Sequence, residues 1–73
     1  MVKRPHIGDR VIVPFGLREI EVEVWRVDGK GEDAWVTVEM FPDSPDEIER
    51  RRHDDPTLNG YRLREIIRPA VAA

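Results

Sequence analysis

The chain has no cysteine, so neither a disulfide nor a thiolate-metal site can staple it, and the missing thiols agree with a reducing compartment. It has no apolar run approaching the roughly 20 residues of a membrane-spanning helix, and no apolar stretch of a secretory leader follows the basic opening MVKRPH. A soluble cytoplasmic protein with no membrane contact is the expectation. A basic excess is also missing, since 15 acidic against 12 basic residues leave a net charge of −3. Duplex-DNA binders draw affinity from Lys and Arg displacing counterions, so this balance argues against one. Aromatics are scarce, with two Trp, two Phe and one Tyr in 73 residues. A chain this short buries only about 60% of its unfolded surface, so a single domain with a thin core is what these limits allow.

What the chain does have is periodicity. Gly8 and Asp9 offer a turn after Ile7, the odd positions Val11, Val13 and Phe15 are apolar, and Pro14 and Gly16 close this first run. In EIEVEVWRVDG, Ile20, Val22 and Val24 take one face and Glu19, Glu21 and Glu23 the other, the period of two of a half-buried strand. At Trp25 the phase slips, because Trp25 and Val27 fall on the former glutamate face. A bulge or a strong bend is the physical meaning of such a slip. DGKGED, with Gly29 and Gly31, supplies a hairpin loop. AWVTVEMF then sets Ala34, Val36, Val38 and Met40 against Trp35, Thr37, Glu39 and Phe41. Pairing Val24 with Val36 gives a consistent inner face and puts Trp25 opposite Trp35, but it also brings Glu21 against Glu39. A shift by two residues keeps the faces and removes the tryptophan pair.

Residues 42 to 56, PDSPDEIERRRHDDP, contain the whole charge imbalance, with six acids against three arginines, while the remainder carries nine of each sign. Ser44-Pro45-Asp46-Glu47 is a capping box with proline at the first helical position. A short surface helix over about 45–53 is therefore expected. Asp46–Arg50 and Glu47–Arg51 would pair along it, acids early and arginines late suit the helix dipole, and Ile48 is its one apolar pin to the sheet. Pro56 bars continuation. In TLNGYRLREIIRP, Asn59 and Gly60 mark a turn or a strand start, Tyr61 and Leu63 share a face, LREI suits one tight 3₁₀ turn, and Pro69 ends a short last strand.

Five short strands, a long bent second strand and a single turn before the last one resemble the layout of an SH3-like small β-barrel. The words that carry the resemblance are IGDRVIVPFG, EVEVWRVDG with AWVTVEMF, and YRLREIIRP, nearly the whole chain. Within that fold the layout is similar to prokaryotic KOW-type and Tudor-like modules and to electron-transport accessory subunits such as the small peripheral subunit of photosystem I, and it singles out no one family. The resemblance implies a mainly β domain over residues 1–73, a five-stranded antiparallel barrel with residues 1–6 and 70–73 frayed. It also implies a protein that binds rather than catalyses.

Groups that could carry chemistry are few. The candidate nucleophiles Ser44, Thr37 and Thr57 have only His6 and His53 as bases, and Ser44 is accounted for as a cap. Two histidines without cysteine do not make a zinc site, and His53 with Asp54 and Asp55 amounts to a loose cation contact, so no metal and no cofactor are expected. The glycines of DGKGED precede a strand, not a helix, which excludes a phosphate-cradling loop. A non-catalytic protein follows. Alternation leaves Trp25, Trp35 and Phe41 away from the Val and Ile face, flanked by Arg26 and Tyr61. This aromatic outer patch is the expected docking surface for a partner protein, because Trp, Tyr and Arg dominate binding hot spots. In a competing account the bulge turns Trp25 inward and the helix covers Trp35 or Phe41; in a third, the patch forms a homodimer. The alternative function is a nucleic-acid or nucleoprotein-associated barrel using Arg50, Arg51, Arg52, Arg62, Arg64 and Arg68 as a basic patch. The acidic balance favours protein binding.

Overall fold

Gly16 and Leu17 alone reverse the chain between β1 (Arg10–Phe15) and β2 (Arg18–Asp28) in the computed structural model, which describes residues 3–70. Gly16, at φ 62, takes the left-handed backbone that the first corner of such a two-residue turn needs. Three further strands complete one antiparallel sheet, β3 (Trp35–Glu39), β4 (Leu58–Arg62) and β5 (Arg68–Pro69), in the order β4-β3-β2-β1-β5. One helix, α1 (Pro45–Arg52), lies between β3 and β4. A 3₁₀ turn at Leu63–Glu65 precedes β5 as the spacing predicts, and a second one, Gly31–Asp33, occupies the β2–β3 loop. Among the described residues no helix is long and apolar enough to cross a membrane.

The inner face is the one that alternation predicts. Val11, Val13, Ile20, Val22, Val24, Ala34, Val36, Val38, Met40, Leu63 and Ile66 are all buried in one cluster, with Tyr61 among them. Ile7 is not part of it: the residue is exposed ahead of β1, where the Gly8 amide donates to the Val24 carbonyl and the Val24 amide to that of Asp9. The Tyr61 hydroxyl on β4 donates to the Pro14 carbonyl of β1 at 3.1 Å, so the sheet is strongly curled. It is nevertheless not closed. β5 contributes two residues, pairs only with β1, and is separated from β4 by the Leu63–Glu65 turn.

The phase slip at Trp25 is a β-bulge. Val24 pairs with Val38, whereas Arg26 pairs with Thr37 and Val27 with Val36, so one residue on β2 is unmatched. The pairing is thus the one shifted by two residues, and no tryptophan pair forms, since Trp35 lies against Asp28 on one side and Arg62 on the other. The like-charge pair moves with the register, from Glu21–Glu39 to Glu23–Glu39.

The helix starts where the cap predicts. Ser44 has extended backbone, its Oγ accepts from the Glu47 amide at 3.1 Å, and Pro45 opens the first turn. The reciprocal half of the box is absent, because the Ser44 amide donates to the Phe41 carbonyl and Glu47 turns inward instead. At the other end Asp54 sits at φ 56, its amide donates to Arg51 and the Asp55 amide to Arg50, the paired closure that ends a helix before Pro56.

Two stability measurements check this assignment. Val36→Ala should cost about 2 to 3 kcal/mol, lost methyl transfer plus a cavity, whereas Thr37→Ala on the opposite face should cost no more than about 1 kcal/mol. Equal denaturant midpoints for the two would reverse the faces. Ser44→Ala should cost about 1 kcal/mol through the lost cap.

Candidate functional site

The structure divides the expected aromatic patch into separate environments. Trp25, doubled with Arg26 opposite Thr37 by the bulge, is half-buried and lies outside the core cluster. The Trp35 ring lies flat over Gly60, where any β-carbon would collide with the indole, and the Arg62 guanidinium covers it at 4.8 Å from the ring centre. Tyr61 is not part of an outer patch at all. It belongs to the core, where burial pushes its hydroxyl up and keeps it a donor. Parity explains the correction, because Tyr61 and Leu63 share one face and Leu63 is buried. Phe41 stands apart from the tryptophans, packed edge-on against Phe15 with ring centres 5.5 Å apart.

Phe15 and Phe41 remain 42% and 41% exposed despite that contact, and Leu17, at the tip of the same hairpin as Phe15, is fully exposed. Phe41 also has φ 50, a left-handed backbone that a bulky residue rarely occupies. Alternation groups Phe15 with Val11 and Val13, but at the end of β1 it is exposed instead of buried, and Leu17, a turn residue, carries no periodic signal.

The proposed basic patch is dispersed and largely neutralised. Arg50 pairs with Asp55, Arg51 with Glu39, Arg52 with Glu49, Arg64 with Asp33 and Arg68 with Glu19. Arg62 stacks on Trp35 and donates to the Asp33 carbonyl. The anticipated Asp46–Arg50 and Glu47–Arg51 pairs give way to these longer-range partners.

On the outer face a row of charges crosses three strands. Arg10 of β1 lies beside Glu23 of β2, which lies beside Glu39 of β3. The Arg10 guanidinium bonds to Glu21 and Glu23 and takes Asp43 with both terminal nitrogens, at 2.9 and 3.1 Å. That hydrogen bond holds the Asp43 carboxyl below the usual range. Arg51 reaches down from α1 to Glu39, with Nη2 2.6 Å from Oε1 and Nε 3.3 Å from Oε2. Glu39 is 0% and Glu47 3% exposed, while Ile48, the expected pin, is 45% exposed. The helix therefore attaches by carboxylates and a guanidinium instead of by its isoleucine. Glu47 accepts from the Thr57 amide at 2.8 Å. Burial pushes its carboxyl up, but the contact with the Glu39 carboxyl, the Thr57 amide and the Arg50 charge outweigh this and leave it lowered. The cover is one helix thick, so these groups are shielded from solvent without lying deep in the protein.

The remaining candidates have structural partners. His53 contacts Glu49 at 3.0 Å, and among the described residues no three His, Asp or Glu side chains are placed to hold a metal ion. Ser44 Oγ is the helix cap. A cavity of about 270 Å³ beside β5 is lined by Pro5, Asp9, Arg10, Val11, Pro69 and Ala70, with Arg10 already engaged.

Both sheet edges are partly occupied. The Met40–Thr57 and Leu63–Ala34 backbone bonds fix the odd positions of this stretch as those that bond to β3, so Gly60 and Arg62 point their amides outward. Those two amides donate to Asn59 Oδ1 and Glu65 Oε2. The opposite edge ends in Pro69, which has no amide hydrogen to offer.

Gly60→Ala should evict the indole from its seat and free Arg62, which iodide quenching of Trp fluorescence reads as a clear gain in accessibility; unchanged quenching would contradict the stacked geometry. Arg51→Ala should lower the thermal midpoint more than Arg52→Ala, because only the former strands a buried carboxylate. No protein-family model, no curated protein and no solved structure matches this chain, so its functional reading stands on this geometry.

Proposed function

We propose that the chain is a non-catalytic protein-interaction module acting in the cytoplasm as an accessory or regulatory subunit. Its strand order, bent second strand and 3₁₀ turn before β5 support an SH3-like barrel as the underlying fold. The observation that carries the functional reading is the apolar end made by Phe15, Leu17 and Phe41. Folding alone gives no reason for these choices. Any polar residue serves at the second corner of the turn, and Gly or Asn at position 41 relieves a left-handed strain of about 1–2 kcal/mol. Apolar side chains retained at positions where folding does not need them fit a contact with another protein. The docking surface so defined keeps Phe41 from the aromatic patch, adds Phe15 and Leu17, and drops Tyr61. Trp25, Arg26 and Trp35 stand apart from it, toward the other end of the β2–β3 pair, with Trp35 already occupied by Gly60 and Arg62.

The nucleic-acid alternative is weaker on this geometry, since five of its six arginines are already paired with carboxylates. Exposed pairs of this kind are each worth about 0–1 kcal/mol and yield to phosphate, so retention on heparin at physiological salt would revive it.

Leu17→Asp and Phe41→Asn separate docking from folding. Each should stay within about 1 kcal/mol of the parent in stability, the second because relief of strain offsets the lost ring contact. A protein captured by the parent chain, identified and purified, should bind either variant about tenfold more weakly or worse in direct titration. Equal affinities would end the reading. A parent that sediments as a dimer and a Leu17→Asp variant that sediments as a monomer would make the partner a second copy.

A further inference from the structure

Between β3 and β4 the chain leaves the sheet at Met40 and rejoins it at Thr57, and the Met40 amide donates to the Thr57 carbonyl at 2.9 Å across that neck. The excursion is therefore closed at its base by the sheet's own ladder, as in a loop whose ends are pinned together. Left-handed residues stand near both ends, Phe41 at φ 50 and Asp54 at φ 56. Between them α1 buries no apolar residue, and Pro42 is the one buried apolar group of the excursion. Apart from buried Pro42 and the Phe41–Phe15 ring contact, what ties it to the sheet is polar: Glu47 to the Thr57 amide, Arg51 to Glu39, and Asp43 to Arg10.

We propose that residues 41–56 form a strap that protonation of its carboxylate contacts detaches from the sheet as a unit, leaving the sheet folded. Every element under the strap contributes a charged group to the contact. β1 supplies Arg10, β2 supplies Glu21 and Glu23, β3 supplies Glu39, and the strap brings Asp43, Glu47, Arg50 and Arg51. Arginines hold their charge at any pH of interest, so the carboxylates are the groups that switch. Protonating Asp43 removes the anion that Arg10 holds with two nitrogens, and protonating Glu47 weakens the acceptor of the Thr57 amide. The core under the sheet takes no part: its buried residues are the valines, leucine, isoleucines, Ala34 and Met40 of the inner face, with Tyr61 held by a carbonyl that does not titrate.

The sign follows from the direction of the shifts. Glu47 and Asp43 have folded carboxyls lowered from 4.5 and 3.8, so their stabilising contribution is full above those values and is lost as pH falls through the lower folded values. Release therefore belongs to acid, below about pH 4.5, and not to alkali.

Titrating the uniformly ¹⁵N-labelled chain from about pH 7 to about pH 3 and following amide shifts and hydrogen exchange tests the proposal. The amides of Glu47, Ile48, Arg51 and Thr57 should change together and lose protection, while those of Val22, Val36 and Val38 keep dispersed shifts and protection at the same pH. At neutral pH, Asp43→Asn with Glu47→Gln should shift the strap amides toward their acid positions. Loss of strap and sheet at one midpoint, a sheet that melts first, or a strap still protected at the lowest pH would each overturn it. The wild-type titration decides the matter even if the double variant fails to fold.

Discussion

The extra residue that β2 carries at Trp25 lets one long strand present two opposite alternations, with glutamates outward before the bulge and Val27 inward after it. Without it, Val27 would point to solvent and the second half of the β2–β3 pairing would lose its inner face. The bulge also fixes what lies beside what. Before it, Glu39 falls next to Glu23; beyond it, Trp35 falls between Asp28 and Arg62. A bulged strand twists more strongly than a regular one, and that curl is what brings Tyr61 of β4 within reach of Pro14 on β1.

The register set by the bulge creates an electrostatic problem that the strap solves. Two glutamates side by side on adjacent strands repel, and covering one of them with a helix would make the repulsion worse unless cations come with the cover. Arg51 arrives from the helix and Arg10 from β1, and the two between them contact Glu21, Glu23, Glu39 and Asp43. The same network then replaces the hydrophobic contact that α1 lacks. An eight-residue helix whose only apolar side chain is half in water cannot dock by burial, so its attachment has to be polar. The strap is thus held mainly by charged contacts, whereas the sheet rests on buried aliphatic side chains.

What could be read from sequence and what could not divides along the same line. The strand faces follow from a period of two, a local signal, and the helix start follows from Ser44 and Pro45, also local. Register is different. Val22, Val24, Val36 and Val38 are the same residue, so sliding β3 by two positions leaves the inner face unchanged, and only the bulge position and the Glu39–Arg51 contact distinguish the alternatives. Arg51 illustrates the difficulty. Glu47, four residues before it, is the natural local partner, but the buried glutamate on β3, twelve residues away, takes the guanidinium because an unpaired carboxylate there costs more than a solvated pair on the helix gains. Tyr61 is the converse case, since its parity with Leu63 already placed it inside. The apolar end was legible only in part. Alternation places Phe41 outward, but its left-handed backbone and its contact with Phe15 leave no trace in residue pattern, and neither does the exposure of Leu17.

How a partner would meet this surface is constrained by what the sheet withholds. Strand addition needs outward amides and carbonyls, but on β4 the amides of Gly60 and Arg62 are already taken by Asn59 and Glu65, and β5 is two residues long and ends in proline. These features favour docking through side chains over strand addition. Aromatic residues bury about 150–250 Å² each when fully covered, and Phe15 and Phe41 are already more than half covered, so with Leu17 they supply on the order of 300 Å². Stable protein–protein interfaces bury about 1,200–2,000 Å² in total, so this end alone supports only a transient contact. A durable one has to extend along the neighbouring surface, and in one direction from Phe41 that surface is the strap itself. A partner reaching that way would rest on a segment tied to the sheet mainly by charged groups, and its grip would depend on Arg10 and Arg51 holding Asp43 and Glu39.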